Sequence, residues 1–454
     1  MRRRDVIRSG MAVVAASGLR LPFLREPAGQ ARSARPAPSP QQLAWQDAAM
    51  GMFLHFGINT FTDREWGDGR EDPAIFNPER LDARQWIRAA QSAGCRYVVL
   101  TAKHHDGFCL WPSRVTDHSV KSSPWMGGQG DVVREVADAA RAAGIGLGLY
   151  LSPWDRNAAS YGSGKAYDDF YIAQLTELLT NYGPLTEVWF DGANGEGPNG
   201  RKQQYDWPRI HATVRHLQPN ALMFSDSGPD IRWIGNERGT AGDPNWCTVD
   251  PSIVREPGLD GPEIIRSLQH GDAPPRGTVW RPGEADVSIR PGWFHHATED
   301  GRVKSPGTLM EIRFNSVGRN ANLLLNVPPA RDGRIAEPDV KALAGFGAAQ
   351  RAFAERAVPE PMRRTTDAYV EIAFGVPERI SAVQLEEDVA TGQRVSGYHV
   401  DVEGPRGAVP VARGTTIGRR KVDRFEPVEA SRVRVLIENA ADLPVIRAIT
   451  VFRA

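Results

Sequence analysis

Between residue 45 and about residue 355 the chain repeats one phrase: a short apolar run, a polar turn, then a stretch of helical period. No other feature constrains the fold as much, because strands separated by helices pair in parallel and need cover on their faces. Apolar runs at 52–58, 97–102, 147–151, 186–190, 221–225 and 323–327 read as strands. Helical periods occupy 82–93, 131–143, 167–182, 205–217, 307–317 and 336–355. Gly144 closes one of these helices, and Gly183-Pro184 stops another. Between 243 and 292 the rhythm blurs into long loops rich in Pro and Gly. Such alternation predicts an α/β fold, a (β/α)8-like (TIM-type) barrel, complete or degenerate, with a doubly wound open sheet as the competitor. Gly and Pro number 45 and 34, too many for a helical bundle.

Past Pro359 the texture changes to short alternating runs separated by Gly, Pro and Asp, which predicts a C-terminal β-sandwich over 360–454. The front differs again. Arg3-Arg4-Asp5-Val6-Ile7-Arg8 resembles the twin-arginine export pattern, and the apolar run 11–19 that follows is too short to span a bilayer. Gly29 and Ala31 supply a small-x-small cleavage site. Residues 1–31 therefore read as a signal peptide, 32–44 as a Pro/Ser-rich linker and 45–355 as the barrel domain. The mature protein is expected in the bacterial periplasm or outside the cell. Lys+Arg and Asp+Glu are 55 each, so no net field favours nucleic acid or an acidic membrane, and neither is expected as a partner. Cys95, Cys109 and Cys247 are too few for a disulfide scaffold or a four-cysteine zinc site, and read as buried thiols.

Some motifs mislead. Gly195-Glu196-Gly197-Pro198-Asn199-Gly200 matches G-x-G-x-x-G in form, but Pro198 interrupts the turn and no acidic residue follows at the ribose-binding distance. His104-His105 invites a metal, yet neighbours on a strand point to opposite faces and chelate one ion poorly. No metal and no cofactor are expected. More telling is where polar residues gather: His55, Lys103 to Asp106, Tyr150, Asp191 and Asp226 stand at the carboxyl ends of successive strands, where barrels of this class carry their chemistry. Carboxylates, neutral histidines and Trp faces, without a nucleotide loop, suit sugar chemistry.

At these residues the chain resembles glycoside hydrolase family 29, the α-L-fucosidases. Met52-Phe53-Leu54-His55-Phe56-Gly57, Lys103-His104-His105-Asp106-Gly107-Phe108, Tyr150-Leu151-Ser152-Pro153-Trp154, Val188-Trp189-Phe190-Asp191-Gly192 and Phe314-Asn315-Ser316-Val317-Gly318 follow one another in family order. Gly235-Asn236-Glu237 and Asp286-Val287-Ser288-Ile289-Arg290-Pro291-Gly292-Trp293 are similar to the subfamily that cleaves α1,3/α1,4-linked fucose. The tail resembles galactose-binding-like sandwiches.

The resemblance implies a retaining hydrolase with Asp191 as nucleophile and Glu237 as general acid/base, with Glu196, Asp226 and Glu284 as alternatives for the second role. It also implies a fucose surrounded by His55, Glu65, Trp66, His104, His105, Tyr150 and Trp189, with Trp293 closing the pocket. Fucose is a 6-deoxy sugar, so its methyl group needs an apolar patch beside the hydroxyl-binding groups. The long segment 243–293 is expected to be a functional loop whose Glu284 and Asp286 bind a neighbouring galactose of a fucosylated oligosaccharide or glycoconjugate. Two rival readings stand beside this one: an inactive sugar-binding protein, and a different retaining glycosidase on the same barrel.

Overall fold

The structure, a computed structural model, describes residues 35–454 except 256, 259–260, 360–361, 366–368 and 406. The signal-peptide reading of 1–31 and the start of the linker lie outside the described residues. Eight strands close into a parallel barrel in sequence order: β1 (Met50–Leu54), β2 (Tyr97–Lys103), β3 (Gly146–Leu151), β4 (Glu187–Trp189), β5 (Leu222–Ser225), β6 (Ile231–Trp233), β7 (Gly283–Ser288) and β8 (Asn322–Asn326). Pairing of Met50 with Leu323 joins β8 back to β1. The open-sheet alternative is thereby excluded.

Strand alternation divides the side chains into two cores. Met52, Leu54, Val98, Leu100, Leu147, Leu149, Leu323 and Leu325 face outward and pack with the helices. Phe53, Tyr97, Val99, Tyr150, Trp189, Leu222, Phe224, Ile231 and Leu324 fill the interior. Gly51 is needed there because a Cβ would lie 2.4 Å from the Tyr97 ring.

Helices α1 (Pro40–Ala48), α2 (Ala83–Ser92), α3 (Val132–Ala143), α4 (Lys165–Asn181), α5 (Trp207–Leu217), α6 (Pro262–His270), α7 (Pro306–Asn315) and α8 (Glu337–Glu355) frame the barrel. Their starts follow local chemistry. Asp82, Asp131, Asp206 and Ser305 each accept a backbone N–H of the first turn, and Gly144 ends α3 in the left-handed region. Between β5 and β6 there is no helix, only residues 226–230, so the barrel is degenerate at this point. Trp45 of α1 joins the interior core and seals the amino end of the barrel.

The C-terminal strands β9 (Met362–Thr365), β10 (Tyr369–Glu387), β11 (Val395–Gly404), β12 (Gly407–Gly414), β13 (Lys421–Ala440) and β14 (Ile446–Arg453) form one six-stranded sheet. The order is β9-β10-β13-β11-β12, with β14 also on β10, and every pair is antiparallel. Bulges in the long strands β10 and β13 let both ends of the sheet feed a single core that holds Ile372, Val383, Val400, Val433 and Val451. The expected β-sandwich is built as one continuous antiparallel sheet around this core. It meets the barrel through stacked Phe353 and Phe452 and through Arg424, which grips both carboxylate oxygens of Glu311.

Candidate active site

The carboxyl ends of the barrel strands surround a cavity of about 430 Å³, within the usual size range of small-molecule sites. Phe53 and His55 come from β1 and its end, His104 and His105 follow β2, and Trp189 and Asp191 come from β4 and the turn after it. Phe224 and Asp226 belong to β5 and its end, Trp233 to β6, Asp286 to β7, and Trp66, Glu237 and Trp293 to loops. Phe53, Trp189, Phe224 and Trp233 give the apolar faces. Trp189 stacks on Phe224 at 4.1 Å and 7°.

Neighbouring hydrogen bonds fix what each histidine presents. The Asn326 amide nitrogen donates to Ser288 Oγ and to the Trp293 carbonyl, which turns its oxygen to His55 Nδ1 at 2.9 Å. His55 therefore carries its proton on Nδ1 and offers Nε2 as an acceptor. Ser152 donates to the Trp154 carbonyl, so it accepts from His105 Nδ1 at 2.7 Å, and His105 too keeps Nε2 as its second nitrogen. His104 is opposite: Asn59 donates to its Nδ1, which leaves the proton on Nε2. Burial holds all three imidazoles below their ordinary pKa, His55 down to about 3. Neutral rings with set donor and acceptor edges are suited to hydroxyl groups.

The carboxylates divide by environment. Asp191 accepts the Tyr150 hydroxyl at 3.1 Å and its own turn's Ala193 N–H at 2.7 Å, and His105 Nε2 stands 3.8 Å away. Glu237 lies at the exposed rim, 3.4 Å from the Trp293 indole nitrogen. Burial, with Asp191 and Glu65 nearby, raises the Glu237 pKa against the opposing indole bond. Asp286 accepts the Trp233 indole N–H at 2.7 Å. Burial drives its pKa well above the usual range, and Glu237 and Glu284 add to the rise. Burial also lifts Asp226 to about 6, although the Gly258 N–H lowers it.

Of the sequence-derived candidates, His55, Trp66, His104, His105, Trp189, Asp191, Glu237, Asp286 and Trp293 line this one cavity. Tyr150 stands behind the wall and reaches it through Asp191. Glu284 requires correction. It is fully buried in the barrel interior, where it accepts the Tyr97 hydroxyl at 2.7 Å and the Trp189 indole at 3.1 Å, and no second sugar can touch it.

Glu65 is not in the cavity lining either. Its carboxylate accepts the backbone N–H groups of Trp293 and Phe294 and meets His296. The segment 243–293 is not one loop, because it contains α6 and the barrel strand β7. His104 and His105 lie past the end of β2, so strand alternation does not separate them, and their rings sit 4.1 Å apart. Glu196 does not line the cavity, which leaves Asp226 as the alternative to Glu237. Phe53, Phe224 and Trp233 also line the cavity, and inward strand alternation from His55 and Asp226 points to the first two.

Comparison with known proteins agrees with this geometry. The family model for alpha-L-fucosidase matches residues 28–354. The chain is 43% identical to alpha-L-fucosidase 1 of Arabidopsis thaliana over 448 residues, covering 90% of this chain and 86% of that one. A crystal structure of a glycoside hydrolase 29 family member from an unknown rumen bacterium superposes with a TM-score of 0.85 at 40% identity, covering 93% of this chain and 78% of that chain. A Ruminococcus gnavus GH29 fucosidase in complex with fucose superposes at 0.79 with 28% identity, covering 94% and 97%.

Proposed function

The chain belongs to the α-L-fucosidase family of glycoside hydrolases, and from that premise we propose that it releases terminal L-fucose by a retaining, two-step mechanism. Asp191 attacks the anomeric carbon to form a covalent fucosyl-enzyme while Glu237 protonates the departing oxygen. Glu237 then deprotonates the water that hydrolyses the intermediate. The single observation that supports this most is the shared pocket. A carboxylate with a phenol and an amide bonded to it faces the same cavity as a rim carboxyl whose pKa is raised.

The histidines fit the sugar. His55 and His105 accept from ring hydroxyls, His104 donates to one, and Phe53, Trp189 and Phe224 receive the methyl group and C–H faces. Linkage preference for α1,3/α1,4-branched glycans rests on the similarity at Gly235–Glu237 and Asp286–Trp293, with Asp286 and Trp233 as the wall that meets the second sugar. Asp286, whose acid form burial favours, can donate a hydrogen bond to a sugar oxygen. Export by the twin-arginine route belongs to the same proposal. Replacing Arg3 and Arg4 by Lys should hold the enzyme in the cytoplasm, and unchanged export would refute the route.

The test is the anomer first formed. Proton NMR during hydrolysis of an aryl α-L-fucoside should show α-L-fucose before mutarotation. Initial β-L-fucose would overturn the retaining mechanism and leave the family assignment standing.

A further inference from the structure

Trp293 is held from two sides by side chains outside its own loop. Its backbone N–H donates to Glu65 Oε2 at 2.8 Å, and its carbonyl accepts from Asn326 at 2.9 Å. Its indole reaches Glu237. Glu65 is itself held: His296 Nε2 lies 2.7 Å from Glu65 Oε1, and His296 Nδ1 lies 2.6 Å from Asp63 Oδ1. A neutral imidazole has one N–H and cannot donate to both carboxylates, so this geometry calls for the imidazolium.

We propose that His296 is a positioning residue: as a cation between Asp63 and Glu65 it ties the loop after β1 to the loop after β7 and fixes Trp293 against Glu237. The proposal rests on the reading that Trp293 and Glu237 serve fucoside hydrolysis.

The charges around His296 support its protonation. Asp63 and Glu65 come from the loop after β1; in its own segment Glu299 accepts the Gly292 N–H and pairs with Arg302, and Asp300 lies between Arg290 and His295. Arg290 is neutralised by Asp300 and by Asp339 of α8. Burial works against the cation, and the bonds to Asp63 and Glu65 outweigh it, so the pKa lies above the ordinary imidazole value. A raised pKa means the clamp is complete at acidic pH and is lost as pH rises through that value.

The test uses the full-length enzyme, His296→Ala, His296→Gln and an aryl fucoside with a good leaving group, on which proton donation by Glu237 contributes little. Wild-type KM should rise on the alkaline side. His296→Ala should raise the acidic-side KM about tenfold and abolish the alkaline rise. Glutamine keeps a donor towards Glu65 but does not titrate, so its KM should stay within about threefold of the acidic wild-type value and be flat with pH. Hydrogen exchange of residues 292–296 reads the clamp without substrate, and His296→Ala should speed it about tenfold.

A shared KM–pH curve for wild type and His296→Ala, or unchanged exchange, overturns the proposal. If the alanine variant fails to fold, His296→Gln decides alone, and an alkaline rise that persists in it overturns the proposal. Failure of the wild type to cleave any fucoside would instead sink the mechanism above, with the exchange measurement still readable.

Discussion

The barrel carries the same chemistry in two layers, and only one of them is a site. In the upper layer, carboxylates meet aromatic donors beside a cavity: Asp191 with Tyr150, Asp286 with Trp233, Glu237 with Trp293. In the lower layer Glu284 meets the Tyr97 hydroxyl and the indole nitrogen of Trp189, and Glu187 accepts the Trp45 indole at 3.2 Å, with both carboxyls sealed from solvent. Glu284 and Asp286 stand two residues apart on β7 and point the same way, about 7 Å apart along the strand. That distance separates a floor support from a wall group. Access, and not residue type, makes the difference.

The largest effect expected from breaking this contrast is at Asp191. Asp191→Ala should lower kcat on the order of 10⁴-fold with little change in Tm, because the residue faces a cavity and supports no packing. A small external anion such as azide should restore part of the rate and give an inverted adduct. Turnover near wild type without the anion would remove Asp191 from the nucleophile role. The floor should behave in reverse. Glu284→Ala strands the Tyr97 hydroxyl and Trp189 indole and leaves a cavity, which should cost about 3 kcal/mol of stability by denaturant titration. An unchanged unfolding midpoint would show that the lower layer is not structural.

This contrast also explains what the sequence could and could not reveal. Six strands and most pocket residues were legible, because apolar runs ending in His55, His104 or Asp191 mark strand ends directly. β7 was not. In Gly283–Ser288 the inward positions are Glu284 and Asp286 and the outward ones Ala285 and Val287, so no apolar run exists. β6 escaped because it has three residues and follows β5 without a helix. The resemblance puts Glu65 beside the sugar, and its contacts with Trp293, Phe294 and His296 were not legible, because those residues lie more than 200 positions away, where no spacing rule reaches.

A smaller effect separates the layers by pH. Burial, joined by the charge on Glu284, raises the pKa of Glu187 well above 4.5, and burial lifts Glu284 to about 7. The folded state therefore holds protons that the unfolded chain releases. This stability is fully present below about pH 4.5 and declines as pH rises through the folded values. In Glu187→Gln the amide supplies a permanent donor to Glu284, so no proton is needed. Its Tm should match wild type near pH 4 and exceed it by roughly 3 °C at pH 8. Parallel Tm–pH curves for the two proteins would show that the pair does not share a proton.

The smallest effect concerns Asp286, the group that stands one layer above Glu284 and faces the cavity instead of the core. The amide of Asp286→Asn keeps an acceptor for the Trp233 indole and a donor for the cavity, so the fold and the fucose pocket should survive it. What it loses is the second oxygen, whose lone pair can accept from a hydroxyl of a sugar lying beyond the fucose. An aryl fucoside has no such sugar, and kcat/KM on it should change less than about twofold. On an α1,3- or α1,4-branched oligosaccharide the loss should be about fivefold, because binding energy from the second sugar assists the transition state. Comparing the two ratios cancels any general disturbance of the pocket. Equal losses on both substrates would place Asp286 with Glu284 as a support, and the proposed α1,3/α1,4 preference would then rest on the rim at Glu237 and Trp293 alone.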